Sequence, residues 1–298
     1  MFIRRLPKFD YHAPSTIAEA LEQMAHYGEK AKVFAGGTDI FVSMKKRETM
    51  PQHMINLKGV GELRGIAYDG EQGLKIGALT TIGDIERSEI VRKDFRALWD
   101  AVKVIAAPQV RNLATIGGNL CSAVPSADTA PPLMVLGASL KLMGPKLERV
   151  VPIENFFTGP RESILKKEEI LAEILIPSSP DGSGGAYVKL MRRNALDLAL
   201  VGVGVFLRLE GNQNKIREAR IALGAVAPTP KRAARAETLV AGREPDEKLI
   251  LEAGKAASEE AVPISDIRAS EGYRRDMVEV LTQRAMRVAL QRIAGEDQ

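Results

Sequence analysis

Two Gly-Gly pairs, Gly36-Gly37 and Gly117-Gly118, constrain the fold of this chain more than any other feature. Each pair directly follows a short apolar stretch and precedes polar residues. Glycine adopts backbone conformations that other residues avoid, and it lets a ligand approach the main chain closely. Successive N–H groups in such a turn form a concave site that suits a phosphate group. The two pairs therefore predict two loops that bind a nucleotide; the alternative is a simple tight turn at each pair.

The sequence lacks the common nucleotide-binding motifs. Gly202-Val203-Gly204 continues into an apolar run, whereas the dinucleotide-binding motif needs a helix after its glycines. No Gly-Lys-Ser or Gly-Lys-Thr sequence indicates a P-loop. Rossmann-type and P-loop sites are therefore not expected.

Composition excludes several other classes of protein. The 298 residues include 42 Lys and Arg against 38 Asp and Glu, and no aromatic residues interleave with the short basic clusters, so nucleic-acid binding is not expected. The longest apolar run, residues 198–207, is too short to span a bilayer as a helix. No signal peptide is evident at the amino terminus. These features predict a cytoplasmic protein without an integral membrane segment.

Cysteine and histidine are scarce. The single cysteine, Cys121, excludes an intrachain disulfide and a metal cluster held by several thiolates of this chain. We expect Cys121 to be a small buried apolar side chain. The three histidines, His12, His26 and His53, are too scattered in the sequence to predict a metal site.

Periodicity predicts an α+β chain in three parts, residues 1–58, 59–177 and 178–298. In the first, Thr16 and Glu19 have the spacing of a capping box that opens a helix. In the second, Asp69-Gly70 predicts a hairpin turn. Residues 178–185 are rich in Ser, Gly and Pro and predict a linker, after which strands followed by a run of helices predict a separate α+β domain.

Longer motifs surround the glycine pairs. Residues 109–119 read Gln-Val-Arg-Asn-Leu-Ala-Thr-Ile-Gly-Gly-Asn, and Pro-Ser-Ala-Asp follows at 125–128. Together with residues 35–39, 76–81 and 224–233, they make the chain resemble the FAD-binding subunit of the molybdenum hydroxylases, the family of the carbon monoxide dehydrogenase medium chain and the xanthine dehydrogenase FAD subunit. The motifs occur in the family's order over nearly the whole chain.

The resemblance implies a vanillyl-alcohol-oxidase-type FAD-binding fold of two subdomains plus a C-terminal α+β domain. FAD would be noncovalent, because the first loop offers no His or Cys as a tether. The implied cofactor-binding residues are Val33, Phe34, Ala35, Gly36, Gly37, Thr38, Asp39, Ile40, Ile105, Thr115, Ile116, Gly117, Gly118, Asn119, Asp128, Leu171 and Lys189.

Within that set the pyrophosphate would lie on residues 33–40 and 115–119. Four side chains have alternative interpretations besides direct contact with the cofactor. Asp128 has the position of a helix cap. Ile105 is also typical of plain core, as is Leu171, while Lys189 on a strand is also typical of a solvent-facing charge.

No catalytic acid, base, nucleophile or metal ligand stands out near the glycine loops. The resemblance therefore implies an electron-transfer subunit of an oxidoreductase complex, in which FAD passes electrons from iron–sulfur clusters to an external acceptor. The [2Fe-2S] clusters would belong to a small partner subunit and molybdopterin to a large one. The alternatives are a self-sufficient flavin oxidase or reductase and a nucleotide-binding protein without redox function.

Overall fold

The computed structural model describes residues 5–211 and 214–296. Its first part, residues 10–56, is a parallel three-stranded sheet in the order β1-β3-β2, with a helix on each face. Its elements are β1 Asp10–His12, α1 Ile17–Tyr27, β2 Ala31–Phe34, α2 Ile40–Lys46 and β3 His53–Asn56.

The first helix begins where the sequence predicts. The Thr16 hydroxyl accepts a hydrogen bond from Glu19 N at 3.2 Å, which satisfies one of the N–H groups that every helix start leaves unpaired. The Glu19 carboxylate accepts from Ser15 N at 2.7 Å and from the Ser15 hydroxyl at 3.0 Å. Alternation along β3 then directs Ile55 towards α1 and Met54 towards α2, so both sheet faces are covered.

The second part has an antiparallel five-stranded sheet in the order β4-β5-β10-β6-β7. Its strands are β4 Ile66–Asp69, β5 Gly73–Gly77, β6 Ser139–Met143, β7 Glu148–Pro152 and β10 Ile170–Ile176, with the small hairpin β8 Phe157–Gly159 and β9 Glu162–Ser163. The helices between β5 and β6 are α3 Ile82–Arg87, α4 Glu89–Asp94, α5 Arg96–Lys103, α6 Pro108–Arg111, α7 Ile116–Cys121 and α8 Ala130–Val135.

The third part is an antiparallel four-stranded sheet covered by helices. Its elements are β11 Ser183–Leu190, β12 Val201–Glu210, β13 Lys215–Gly224, β14 Lys231–Arg232, α9 Ala234–Val240, α10 Glu247–Glu260 and α11 Glu271–Ile293. Helices α9 to α11 bury one face of this sheet in a core of their own. The other face contacts α5 and α8. The predicted order of strands followed by helices is therefore confirmed.

Two predicted boundaries in this part are wrong. The linker predicted at residues 178–185 is shorter, because residues 183–185 already pair with β12 as the start of β11. The sequence pattern also predicts a helix from about Lys231 to Val240, but this helix begins at Ala234, because Lys231 and Arg232 pair with β13 at the sheet edge. In both places long-range strand pairing overrides a local composition of small or polar residues. Among the described residues, no helix combines the length and apolar character needed to cross a membrane.

Candidate functional site

A groove lies where the first part of the chain meets the second. It encloses a cavity of about 290 Å³, and it is lined by residues 33–40, Leu57, Ala78, Leu79, Ala114, Thr115, Gly117, Gly118, Asn119, Cys121, Ser122, Leu165, Glu169, Ile170 and Leu171. Both glycine pairs are therefore brought to one site. Neither Lys nor Arg is among the described residues that line it, so a bound anion would be held by N–H dipoles and hydroxyl groups.

The first glycine pair connects β2 to α2 at the carboxyl edge of the parallel sheet, the edge at which sheets of this kind bind ligands. Gly37 has a φ of 74°, in the left-handed region that favours glycine. A Cβ on Gly36 would lie 2.1 Å from the carbonyl oxygen of Leu113. Gly36 is therefore required because this loop packs directly against the segment that precedes the second pair.

The backbone of this loop offers a row of hydrogen-bond donors. From Gly36 through Ile40, none of the five N–H groups donates to an acceptor within residues 5–211 and 214–296. A buried or half-buried N–H without an acceptor costs free energy, so such groups normally bind water or a ligand. Consecutive donors on a turn that contains a left-handed glycine form the concave site that binds phosphate.

The second glycine pair is not a loop, as the sequence suggested, but the first turn of α7. The Thr115 hydroxyl caps this helix by accepting from Gly118 N at 3.1 Å. Gly117 N donates to Ala78 O at 2.9 Å and Ile116 N donates to Thr80 O at 3.1 Å. These N–H groups are therefore occupied and are not available to a phosphate in the same way as those of the first loop.

Gly117 serves a packing role. A Cβ there would lie 2.7 Å from both the Cβ and the carbonyl oxygen of Ala78, which follows β5. The missing side chain lets α7 sit against the end of the five-stranded sheet. The two pairs thus act differently: the first exposes donors, and the second brings a helix close enough to form the opposite wall.

Asn119 connects this wall to the next segment of the chain. Its Oδ1 accepts from the Thr129 hydroxyl at 2.6 Å and more weakly from Thr129 N at 3.4 Å. Because the amide oxygen is occupied in this way, the Nδ2 group is left as the donor that Asn119 can offer to a ligand.

Glu169 is a groove residue that the sequence did not indicate. Its carboxylate forms a bidentate pair with Arg149, at 2.9 Å from Nε to Oε1 and 2.7 Å from Nη2 to Oε2, and it also accepts from Lys166 N. The pairing with Arg149 lowers the pKa of Glu169, so the carboxylate is ionised at neutral pH. The Glu169 carboxylate is therefore a fully paired part of the groove wall and not a free general base.

Four predicted residues lie outside the lining of the groove: Ile105, Ile116, Asp128 and Lys189. Ile105 is buried in the core of the second part. Asp128 and Lys189 form a buried ion pair at 2.8 Å, with the lysine side chain 1% exposed. The Lys189 ammonium also donates to the carbonyl oxygens of Val104 and Asp197 at 3.2 and 3.1 Å. Lys189 is therefore not a solvent-facing charge, and direct contact of these residues with the cofactor stays a prediction.

Tyr187 completes that ion pair. Its hydroxyl donates to the second Asp128 oxygen at 2.8 Å. Burial raises the pKa of the Asp128 carboxyl, and the charge of Lys189 opposes the shift. Burial, reinforced by the nearby carboxylate, also raises the pKa of Tyr187 well above its usual value. The alternative role of Asp128 as a helix cap is wrong, because the cap of α8 is Thr129 and it uses no side-chain hydrogen bond.

The expectation of a buried Cys121 is also wrong. The residue is exposed at the end of α7 and lines the groove. Ile116, one helical turn earlier in α7, is fully buried and contributes to the core behind the groove. Leu171 both lines the groove and belongs to that core. The remaining implied residues, 33–40, Thr115, Gly117, Gly118 and Asn119, all line the groove.

Several residues that line the groove could not be predicted, because no local sequence pattern indicates them. Leu165 and Glu169 come from the segment before β10, more than forty residues after α7 in the sequence. Ile170 and Leu171 point to opposite faces of β10 and join two different cores. Ala78 and Leu79 lie in the motif at residues 76–81, which could have indicated their position in the site.

Two family models match the chain in the same order as these parts. The FAD binding domain in molybdopterin dehydrogenase matches residues 7–179, and the CO dehydrogenase flavoprotein C-terminal domain matches residues 186–289. The first covers the whole groove. The chain therefore belongs to the FAD-binding subunits of the molybdopterin-dependent dehydrogenases, and it is an oxidoreductase subunit with FAD as its cofactor.

Individual relatives extend over the full length. The carbon monoxide dehydrogenase medium chain of Hydrogenophaga pseudoflava is 35% identical over 97% of this chain and 99% of its own. The xanthine dehydrogenase FAD-binding subunit of Escherichia coli O157:H7 is 33% identical over 96% of this chain and 97% of its own. The expected family is therefore confirmed.

Solved structures agree with the sequence relatives. A carbon monoxide dehydrogenase chain from Hydrogenophaga pseudoflava superposes with a TM-score of 0.93 at 36% identity, covering 97% of this chain and 99% of that one. A chain of quinoline 2-oxidoreductase from Pseudomonas putida 86 superposes with a TM-score of 0.90 at 29% identity, covering 97% and 99%. The predicted fold class, an FAD-binding unit followed by a C-terminal α+β domain, is confirmed.

Proposed function

We propose that the groove binds the diphosphate of FAD on the N–H groups of residues 36–40. The observation that carries the proposal is the row of five donors without acceptors among the described residues, lining a groove without cationic side chains. Two negatively charged phosphates are the ligand that best satisfies such a row. The hydroxyl of Thr38 and the Nδ2 group of Asn119 supply further donors from the two walls.

The remaining walls suit the rings of the cofactor. Leu57, Leu79 and Leu165 line the groove beside Ile170 and Leu171, and they would cover aromatic ring faces and exclude water. Through its hydrogen bond with the Thr129 hydroxyl, Asn119 connects the groove to the segment that carries Asp128. We infer that the buried Asp128–Lys189 pair lies at the far end of the cofactor, and that Ile105 packs behind it.

The acidic residues in and beside the groove bear on the role of the bound cofactor. FAD supplies one- and two-electron redox chemistry, while the protein binds it, orients it and shields it. Glu169 in the groove is paired with Arg149, and Asp128, outside the groove, is paired with Lys189 and Tyr187, so neither is a free acid or base. The other carboxylate of the lining, Asp39, lies exposed on the first loop. We propose that the chain passes electrons from iron–sulfur clusters of a small partner through FAD to an external acceptor. A large molybdopterin-containing partner would hold the substrate.

The cofactor assignment is tested on the purified chain. Acid precipitation should release yellow FAD into the supernatant, because the first loop carries no residue that forms a covalent flavin link. Flavin that stays in the protein pellet contradicts the noncovalent site. An apo-protein that cannot be reconstituted with FAD contradicts the groove assignment altogether.

The subunit assignment is tested on the native assembly. Co-expression with its genomic neighbours should yield a complex that contains molybdenum and iron besides flavin, while the isolated flavin-loaded chain oxidises no purine, aldehyde or carbon monoxide. A stable complex of this kind would bury more than about 1,200 Å². A native protein that contains flavin alone and turns over an organic substrate at full rate would instead establish the self-sufficient flavin oxidase.

A further inference from the structure

The fold brings together two histidines that are far apart in the sequence. His12 Nε2, on the edge strand β1, lies 3.2 Å from His53 Nδ1, on the central strand β3, and neither residue lines the cofactor groove. Tyr27 stacks on both rings, with centroid distances of 4.5 Å to His12 and 4.0 Å to His53. Tyr27 thus packs against both imidazoles and keeps them side by side, although their separation in the sequence gave no indication of this contact.

A carboxylate shares the same face. In the parallel pairing of β1 with β3, Asp10 lies opposite His53 and His12 opposite Ile55. Residues two apart on a strand point to the same side, so the side chains of Asp10 and His12 project beside His53. The Asp10 Oδ2 atom lies 3.6 Å from His53 Nδ1, and the Asp10 side chain is 78% exposed.

We propose that Asp10, His12 and His53 form a binding site for a divalent transition-metal ion such as Zn²⁺. As they stand, no three His, Cys, Asp or Glu side chains within residues 5–211 and 214–296 are placed to hold a metal ion, so the proposed site needs a change of side-chain conformation. The two imidazoles are the preformed half of the site, and the exposed Asp10 side chain completes it by a rotation about its own bonds. Neither the FAD groove nor the electron-transfer role requires this site.

The spacing of the two nitrogens fits metal coordination. Two Zn–N bonds of about 2.0–2.1 Å that meet at a tetrahedral angle place their nitrogens about 3.3 Å apart. Metal binding would replace the hydrogen bond between the rings by a small tilt of both imidazoles against Tyr27, which brings the two lone pairs to one ion while the strands stay in place. His12 then carries its proton on Nδ1 and His53 on Nε2, so no proton is lost from the pair.

The ligand set also selects the ion. Two imidazoles and one carboxylate suit Zn²⁺, Ni²⁺ or Cu²⁺, whereas Mg²⁺ and Ca²⁺ prefer sites made of oxygen alone. The ion would connect β1 to β3 in the sheet whose neighbouring strand β2 leads into the donor loop. Because an ion that binds only the folded state stabilises it, Zn²⁺ should raise the melting temperature of the chain.

The test is calorimetric titration of the untagged, flavin-loaded chain with Zn²⁺. We expect one ion per chain, a higher melting temperature that chelation with EDTA reverses, and no selective response to Mg²⁺. His12→Asn and His53→Asn should each weaken Zn²⁺ binding by at least about 10–100-fold, the range found when even an outer-shell partner of a metal ligand is lost. Flavin absorbance should stay unchanged in both variants.

Two further variants keep the test decisive. His26→Asn is the matched control, because His26 also packs against Tyr27, at a centroid distance of 4.7 Å, but takes no part in the hydrogen bond between His12 and His53, and this variant should bind Zn²⁺ like the unaltered chain. Asp10→Asn alters an exposed side chain and should weaken binding about tenfold without affecting folding. The proposal is overturned if the unaltered chain binds no Zn²⁺, if the His12 and His53 variants bind normally, or if Asp10→Asn has no effect.

Discussion

The substitution Gly36→Ala tests whether close packing of the first loop sets the cofactor site. The new Cβ would lie 2.1 Å from Leu113 O and 2.9 Å from the Cα of Ala114. Both are backbone atoms that no side-chain rotation can move. To reach ordinary contact at 3.4 Å, the loop and the segment before α7 must separate by about 1.3 Å.

That separation sets the expected magnitude. An N–H···O contact of about 2.9 Å that lengthens by more than 1 Å is no longer a hydrogen bond. A hydrogen bond to a charged group contributes about 1.5–3 kcal/mol. If two of the donors in residues 36–40 lose their phosphate contacts, FAD affinity should fall by about 3–6 kcal/mol, which is about 10²–10⁴-fold in Kd.

The assay is reconstitution of the apo-protein, followed by flavin fluorescence during FAD titration. Gly61→Ala is the matched control, because an added Cβ there meets nothing within 4 Å and its φ is not positive. Melting curves of both apo-variants separate lost binding from lost folding; overpacking alone costs about 1–3 kcal/mol of stability. If folded Gly36→Ala binds FAD as tightly as the control does, the position of this loop does not determine binding and the reasoning is refuted.

Three further substitutions test the surroundings of the site. Arg149→Met should cost about 1–3 kcal/mol in urea denaturation at neutral pH, because it leaves the buried Glu169 carboxylate unpaired. Since Arg149 lowers the pKa of Glu169, the stabilisation is present at neutral pH and is lost as the pH falls through that lowered pKa; a deficit that does not shrink in acid would contradict this pairing. Lys189→Met should cost about 3–5 kcal/mol by the same measurement, and Asp128→Asn in that background should recover part of the loss, whereas an additive further loss would show that the pair is not coupled. Cys121→Ala should change stability by less than about 0.5 kcal/mol and leave the FAD content of the purified chain intact, because this side chain is exposed; loss of flavin would give the thiol a role in binding.

Much of the fold could be read from local signals. Thr16 caps α1 because a hydroxyl reaches an N–H group three residues on, a geometry that depends only on neighbouring residues. The hairpin turn at Asp69-Gly70, between β4 and β5, likewise depends only on residues that are neighbours in the sequence. The family resemblance added residues 33–40 and the motif around Thr115, and the structure brings these segments together at one groove.

The sequence by itself determined that the chain has one cysteine, an α+β order of elements, the motifs of an FAD-binding subunit and two glycine pairs that each follow a short apolar stretch. Only the tertiary structure decided what each glycine does. Gly36 is needed because Leu113 lies against it, and Gly117 because Ala78 does. Likewise Lys189 pairs with Asp128, and His12 contacts His53, although 61 and 41 residues of sequence separate the partners. Such partners are set by how sheets and helices pack, and no local pattern records that packing.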